Sequence, residues 1–380
     1  MLAAVSSSAS SDKVHKPTIH IYEREAGTYA ARRGVQREER VRSFAGALAV
    51  GSLRLDLGCG PGHYLPLLGQ PSIAVDAAEA MVQATRHQYP NTPTVRADLV
   101  DLPFGRGSFG GVWASKAHQH LPATDLPMAL AEVHRVLTVG GRFDLTVFAS
   151  IPGKPTAEEV TARDSGDDLP GRLFAWWDPA HLASVVAAAG FRVDRLDLVQ
   201  TDSPDGHARI EITTTAERSL PDHVGGGMRL LCCGLNPSLH AADAGVGYVT
   251  GSNRFWRAMA AAGLASRDRD PRHLLRHDHI GMTDLVKRAT PRADELQSIE
   301  YRVGVERLAE LCRWLKPGAL AIVGLAGWRV AVNRRATTGW QPEALGGTPV
   351  YVLPSTSGLN AGVSLDELTM HLRDAAHGPT

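Results

Sequence analysis

Two α/β domains in series are predicted by three features of the 380-residue chain. The length exceeds what a single hydrophobic core usually serves. Short apolar runs alternate with helical patterns twice over, which is the signature of parallel strands covered by helices. The two alternations also open on different motifs, Leu55-Asp56-Leu57-Gly58-Cys59-Gly60-Pro61-Gly62 and Gly234-Leu235-Asn236-Pro237-Ser238. The expected architecture is a doubly wound, Rossmann-like sheet followed by a smaller α/β/α sandwich.

In the first alternation, strands are expected at 53–57, 72–76, 94–97, 110–115, 142–148, 191–198 and 209–213, with helices at 77–87, 126–137 and 179–189. The last two strands leave little room for a helix between them and predict an antiparallel edge. Residues 219–227, Ser-Leu-Pro-Asp-His-Val-Gly-Gly-Gly, read as a flexible linker. The second alternation places strands at 229–234, 319–324 and 349–353, with helices at 253–263, 301–315, 326–335 and 365–375. The domains are expected at 17–218 and 228–380, and residues 1–16, rich in Ser and Ala, read as a disordered tail.

Net charge is zero, with 40 basic and 40 acidic residues, but it divides unevenly. Residues 1–227 hold 22 Lys and Arg against 26 Asp and Glu, whereas 228–380 hold 18 against 14, which makes the second half the one suited to a polyanion. The four cysteines have no Cys-x-x-Cys spacing and fit a reducing cytoplasm. No apolar stretch approaches the roughly 20 residues that span a bilayer, so no membrane partner is expected. His273, His277 and His279 lack Cys or carboxylate partners at ligand spacing, and no metal is expected.

The first motif ends a strand in an acidic residue and a Gly-x-Gly-x-Gly turn, bringing bare backbone to the carboxyl edge of a parallel sheet, where ligands bind in this architecture. The next strand ends in Asp76, at the spacing where a carboxylate accepts from a ribose diol. The third leads into Asp98-Leu99, which can flank a purine ring. With Phe109 to Ala114 and the turn Glu132 to Gly141, these segments resemble the class I S-adenosylmethionine-dependent methyltransferases over about residues 17–215. The resemblance implies that Asp56, Gly58, Gly60, Gly62, Asp76, Asp98, Leu99 and Ser115 hold S-adenosylmethionine. Direct DNA methylation is disfavoured, because Ala114-Ser115-Lys116-Ala117 replaces the Asp/Asn-Pro-Pro-aromatic tetrad and no Pro-Cys nucleophile exists. A small molecule or an RNA is the expected acceptor. His118 and His120 read either as a general base or as part of a solvated loop, and Trp176-Trp177 either stack on an acceptor or pack a helix on the sheet.

In the second motif, an Asn-Pro turn at a strand end holds a side chain with both a donor and an acceptor, suited to positioning a water or reading a pyrimidine edge. The loop Gly245 to Ser252 carries Tyr248 as a stacking surface for an extruded base. Downstream, Ser357-Gly358-Leu359-Asn360 sets one apolar side chain among small polar ones, as a wedge into a base stack requires. With Asn253-Arg254-Phe255-Trp256 and Thr283-Asp284-Leu285-Val286, these motifs resemble the mismatch-specific uracil and thymine DNA glycosylases from about Met228 to Ala375.

The resemblance implies that Asn236 orients the hydrolytic water, Tyr248 replaces a stacking Phe, and Ser357, Gly358, Leu359 and Asn360 contact DNA. Ser238 stands where Gly is usual, with a Cβ that crowds the pocket floor, and Ala361 stands where an Arg often follows the wedge. Arg267, Arg269, Arg272 and Arg276 read as a phosphate grip or as a solvated loop. The expectation is a bifunctional enzyme of the cytoplasm, associated with the nucleoid when on DNA. It joins methyl transfer to base excision from duplex DNA carrying a G·U or G·T mismatch or a lesion, and needs no cofactor for excision. The alternative is a nucleoside N-glycosidase or base-binding module in a modification pathway with the methyltransferase.

Overall fold

Residues 16–151, 153–161, 167–200 and 208–379 are described by the computed structural model; the expected tail, apart from Lys16, falls outside them. The first domain runs α1 (Lys16–Arg32), α2 (Glu38–Ala47), β1 (Arg54–Leu57), α3 (Leu65–Leu68), β2 (Ser72–Asp76), α4 (Glu79–Gln88), β3 (Thr94–Arg96), β4 (Phe109–Ser115), α5 (Leu126–Val136), β5 (Leu137–Ala149), β6 (Ala157–Val160), β7 (Leu173–Trp177), α6 (Pro179–Ala188), β8 (Phe191–Gln200) and β9 (Ala208–Ala216). The second runs β10 (Leu230–Gly234), α7 (Leu239–Ala244), α8 (Phe255–Ala261), α9 (Pro271–Asp278), β11 (Ile280–Asp284), α10 (Ser298–Leu315), β12 (Leu320–Val323), α11 (Leu325–Ala331), β13 (Gly339–Trp340), β14 (Val350–Leu353) and α12 (Leu365–His377).

The larger sheet follows the order β3-β2-β1-β4-β5, all parallel, with β9 antiparallel on β5 and β8 antiparallel on β9. Strand order reverses between β1 and β4, which opens a crevice where Gly58 and Ser115 leave the sheet. The antiparallel closing pair is the one the sequence predicts. The helices α1 and α2 and the strands β6 and β7 are not read from the sequence. Among the residues of α1, only Thr18 and Ile21 are buried, so no apolar stripe announces it.

The smaller sheet has the order β11-β10-β12-β14 in parallel, with β13 antiparallel at the edge. Alternation along β10 explains why both faces are covered. Leu231 and Cys233 face the core shared with α10, while Leu230 and Cys232 face the one containing Phe255 of α8 and Leu368 of α12. Strand β11 escapes the sequence reading because its five residues, Ile-Gly-Met-Thr-Asp, follow a His- and Arg-rich segment.

The segment expected to be a flexible linker is packed instead. Residues 219–225 are buried, and His223 exchanges two 2.9 Å backbone hydrogen bonds with Met282 of β11. The Asp222 carboxylate accepts from Thr283 Oγ1 and Lys287 Nζ, both at 2.7 Å, and from Arg307 Nη1 at 2.8 Å. Burial pushes the Asp222 carboxyl up, but Lys287 and Arg307 hold it below the usual carboxylate range. The glycines suggest freedom, but the Leu-Pro-Asp-His-Val before them supplies apolar and ionic anchors. Trp177, fully buried at the end of β7, meets Trp314 of α10 edge-on at 6.2 Å, so one core continues from the first domain onto α10.

Candidate active sites

The first cavity, of about 710 Å³, opens at the β1/β4 crevice under α1, and Gly58, Gly60, Asp76, Asp98, Leu99 and Ser115 all line it. Gly58 is required there twice over, by φ +73° and because a Cβ would lie 2.2 Å from the Cβ of Ala117. Asp76 is aimed by the loop itself: Oδ2 accepts from Gly60 N and Oδ1 from Ala78 N, both at 2.9 Å. Glu23 of α1 caps the start of α4 by accepting from Glu79 N at 2.7 Å and Ala80 N at 2.8 Å, which fastens α1 over the cavity. Asp56 and Gly62 do not line it. Asp56 is buried beneath, its Oδ2 has no hydrogen-bond partner among the described residues, and burial, with Asp76 second, pushes its carboxyl up to about 8. Gly62 packs against Leu65 and Tyr89.

The far wall of this cavity is formed by Lys116, Ala117, His120 and Leu121. The solvated-loop reading of this segment does not hold, since His118 is fully buried and burial depresses its imidazole to about 4, keeping it neutral. His120 Nδ1 meets the Leu173 carbonyl at 2.8 Å, so that nitrogen carries the hydrogen, and Nε2 accepts from Tyr22 Oη at 2.9 Å. Arg172 Nη1 donates to the same phenol at 2.9 Å. Of the tryptophan pair, Trp177 packs at the interface and Trp176 stacks on Phe148 at 5.0 Å.

The second cavity, of about 970 Å³, lies at the carboxyl edge of the smaller sheet, and Asn236, Tyr248, Asp284 and Ser357 line it together. Asn236 is locked by three acceptors: its Nδ2 donates to Pro237 O at 3.2 Å, Arg288 O at 3.1 Å and Thr290 Oγ1 at 2.8 Å. Its remaining capacity is therefore Oδ1, an acceptor. Tyr248 takes φ +58°, lays one ring face on Phe255 at 4.1 Å and 20°, and is among the residues that line the cavity. Its hydroxyl is buried without a hydrogen-bond partner among the described residues.

Asp284 ends β11 beside it; the sequence places it in the motif Thr283 to Val286 but assigns it no role. A Cβ on Gly234 would come within 2.3 Å of Asp284 Oδ1 and 2.8 Å of Tyr248 Oη, so glycine is what admits both groups. Burial pushes the Asp284 carboxyl up to about 6 against the pull of Lys287 and Arg307. A signal was present: an acidic residue closing an apolar run, as Asp76 does in the first domain. Ser238, expected to crowd the floor, lines the cavity and also caps α7, its Oγ accepting from Ala241 N at 3.1 Å.

The wedge segment stands clear of the body, with Leu359 96% exposed. Arg254, part of the motif Asn253 to Trp256 but given no role from the sequence, holds it by donating to the carbonyls of Asn360 at 2.7 Å, Ser357 at 3.3 Å and Val363. Asn360 Nδ2 donates to Ser355 O at 3.0 Å, which closes the turn. Gly358 packs close on Ser252, and Ala361 is exposed.

A Rossmann-like cofactor crevice joined to a second sheet with an Asn-Pro pocket defines a two-domain chain of two site types. Residues 55–145 match the family model of a methyltransferase domain, and residues 221–373 match that of the uracil DNA glycosylase superfamily. The two matches fall on separate segments, one in each sheet's part of the chain. Among solved structures, it is similar to Burkholderia thailandensis 1,6-didemethyltoxoflavin-N1-methyltransferase, with 20% identity over 57% of this chain and 94% of that one and a TM-score of 0.42. It is also similar to an S-adenosylmethionine-dependent methyltransferase of Methanosarcina mazei, with 15% identity over 49% and 99% and a TM-score of 0.42. Among the described residues, no helix is long and apolar enough to cross a membrane.

Proposed function

We propose that the second domain hydrolyses the N-glycosidic bond of uracil, or of a damaged or mismatched pyrimidine, in duplex DNA, and that the first transfers a methyl group from S-adenosylmethionine to a small-molecule or RNA acceptor. The observation that carries the excision reading is one cavity holding a locked amide, Asn236, a carboxylate, Asp284, and a stacked aromatic, Tyr248.

An extruded base stacks on the open face of Tyr248 while Leu359 fills the space it leaves in the duplex. The C1′–N bond breaks with its electron pair leaving on the base. A water held by Asn236 Oδ1 attacks C1′, and its proton passes to the Asp284 carboxylate, which at about 6 is ionised at neutral pH. Incubating the full chain with an end-labelled G·U duplex and then alkali tests this reading: strand breakage at the uracil is expected, and an intact strand would refute it.

In the first domain, Gly58 and Gly60 bring bare backbone to the cavity for the methionine end, Asp76 is suited to a ribose diol, and Asp98 with Leu99 to an adenine. These fit S-adenosylmethionine, which supplies an electrophilic methyl group when bound. The chain's own part is to align the acceptor along the Lys116–Leu121 wall. Because Tyr22 occupies His120 Nε2, an acceptor proton reaches that imidazole through the phenol. Calorimetric titration with S-adenosylmethionine, followed by labelled transfer to fractionated RNA and metabolite pools, tests this half.

A further inference from the structure

The turn that follows β3 is held from outside its own domain. Asp98 closes the turn on itself: its carbonyl accepts from Asp101 N and its Oδ1 from Val100 N, each at 3.0 Å. Two other polar groups of the turn are taken by helix α9. The Val100 carbonyl accepts from Arg276, and the Asp101 carboxylate accepts from Arg272 and lies 3.4 Å from Arg276. Arg272 is also paired at 3.2 Å with Glu132, whose Oε2 accepts from Leu102 N at 2.9 Å.

This grip is partly withdrawn from water, since Glu132 is 1% and the Arg276 side chain 14% exposed, which strengthens charge-assisted bonds. Neither sequence reading of the arginine cluster describes it. Arg267 and Arg269 pair within their own loop, with Asp270 and Asp268, while Arg272 and Arg276 reach across to the first domain.

We propose that Arg272 and Arg276 are positioning residues for the methyl-donor site: the second domain fixes the turn that presents Asp98 and Leu99 to the adenine ring. The inference rests on reading the first cavity as the S-adenosylmethionine site. A turn held in place before binding does not have to be ordered by the ligand, and affinity rises accordingly. Helix α9 leads directly into β11, which ends at Asp284, so the same two arginines tie the adenine-reading turn to the excision cavity.

The test is calorimetric titration of S-adenosylhomocysteine, and of its inosine analogue with a carbonyl in place of the adenine amine, into the full chain. Wild type is expected to bind the adenine form and to discriminate against the other. The R272A/R276A double variant is expected to lose about tenfold in affinity for the adenine form and most of the discrimination, while R267A behaves as wild type. D101N removes the charge from the opposite end of the same contact with little change of shape and decides the matter if the double variant does not fold; it is expected to weaken binding in the same direction. Unchanged affinity and unchanged discrimination in these variants would overturn the proposal. Failure of wild type to bind S-adenosylhomocysteine would instead overturn the cofactor reading beneath it.

Discussion

The two cavities differ in how their residues reach one another. The donor cavity is built from consecutive strand ends, Gly58, Asp76, Asp98 and Ser115, within one run of the chain, and it is roofed by α1. The second cavity gathers Asn236, Tyr248 and Ser357 from three separated loops and Asp284 from the end of β11, and Leu359, two residues beyond Ser357, is exposed. The difference teaches that a site built from consecutive strand ends can be read as one motif, while a site gathered from separated segments is complete only once the sheet order brings them together.

The largest expected effects break that contrast at the second cavity. Asp284→Asn keeps the shape and removes the proton acceptor, and it should slow uracil excision about a thousandfold, as general bases contribute about 10²–10⁴. In wild type the rate should rise with pH up to about 6, where the carboxylate forms, and this limb should flatten in the variant. Single-turnover excision between pH 5 and 8 checks both.

Next in size is Asp222→Ala, which leaves Lys287 and Arg307 without their shared buried carboxylate and should cost about 3–5 kcal/mol of stability in denaturant titration. Because the folded-state value of Asp222 is depressed, its contribution is present above the usual carboxylate range and is lost as pH falls through the folded-state value. Stability of wild type and variant should therefore converge in acid.

At the covered site, Asp76→Ala should weaken S-adenosylmethionine binding about a hundredfold through lost charge-assisted hydrogen bonds, without changing excision from G·U duplex. The smallest expected effect sharpens the role of the exposed wedge. Leu359→Ala should slow excision from duplex about tenfold and leave excision from single-stranded DNA unchanged, since only the duplex has a vacated position to fill.

Much of the first sheet was legible because β1, β2 and β4 are short runs that end at or beside Gly, Asp or Ser. The antiparallel β8–β9 edge was equally legible from spacing. The two N-terminal helices were not, because α1 buries little of itself and is held by Glu23 and Tyr22 rather than by an apolar stripe. In the second domain, the Asn236 turn and the wedge were visible as local motifs. Asp284 and Arg254 stood inside such motifs, but their roles were not legible, because these depend on which strand lies beside β10 and which loop lies over α8. The segment 219–227 was misread for a related reason: the three glycines at its end suggest a linker, whereas Asp222 and His223 decide the packing of 219–225.

The most direct measurement is single-turnover release of uracil from an end-labelled G·U duplex by the full-length chain, compared with Asn236→Ala and Asp284→Asn proteins of verified fold. An abasic product from wild type, with a loss of about two to three orders of magnitude in each variant, is the expected result. No product from wild type, or undiminished product from either variant, would contradict it.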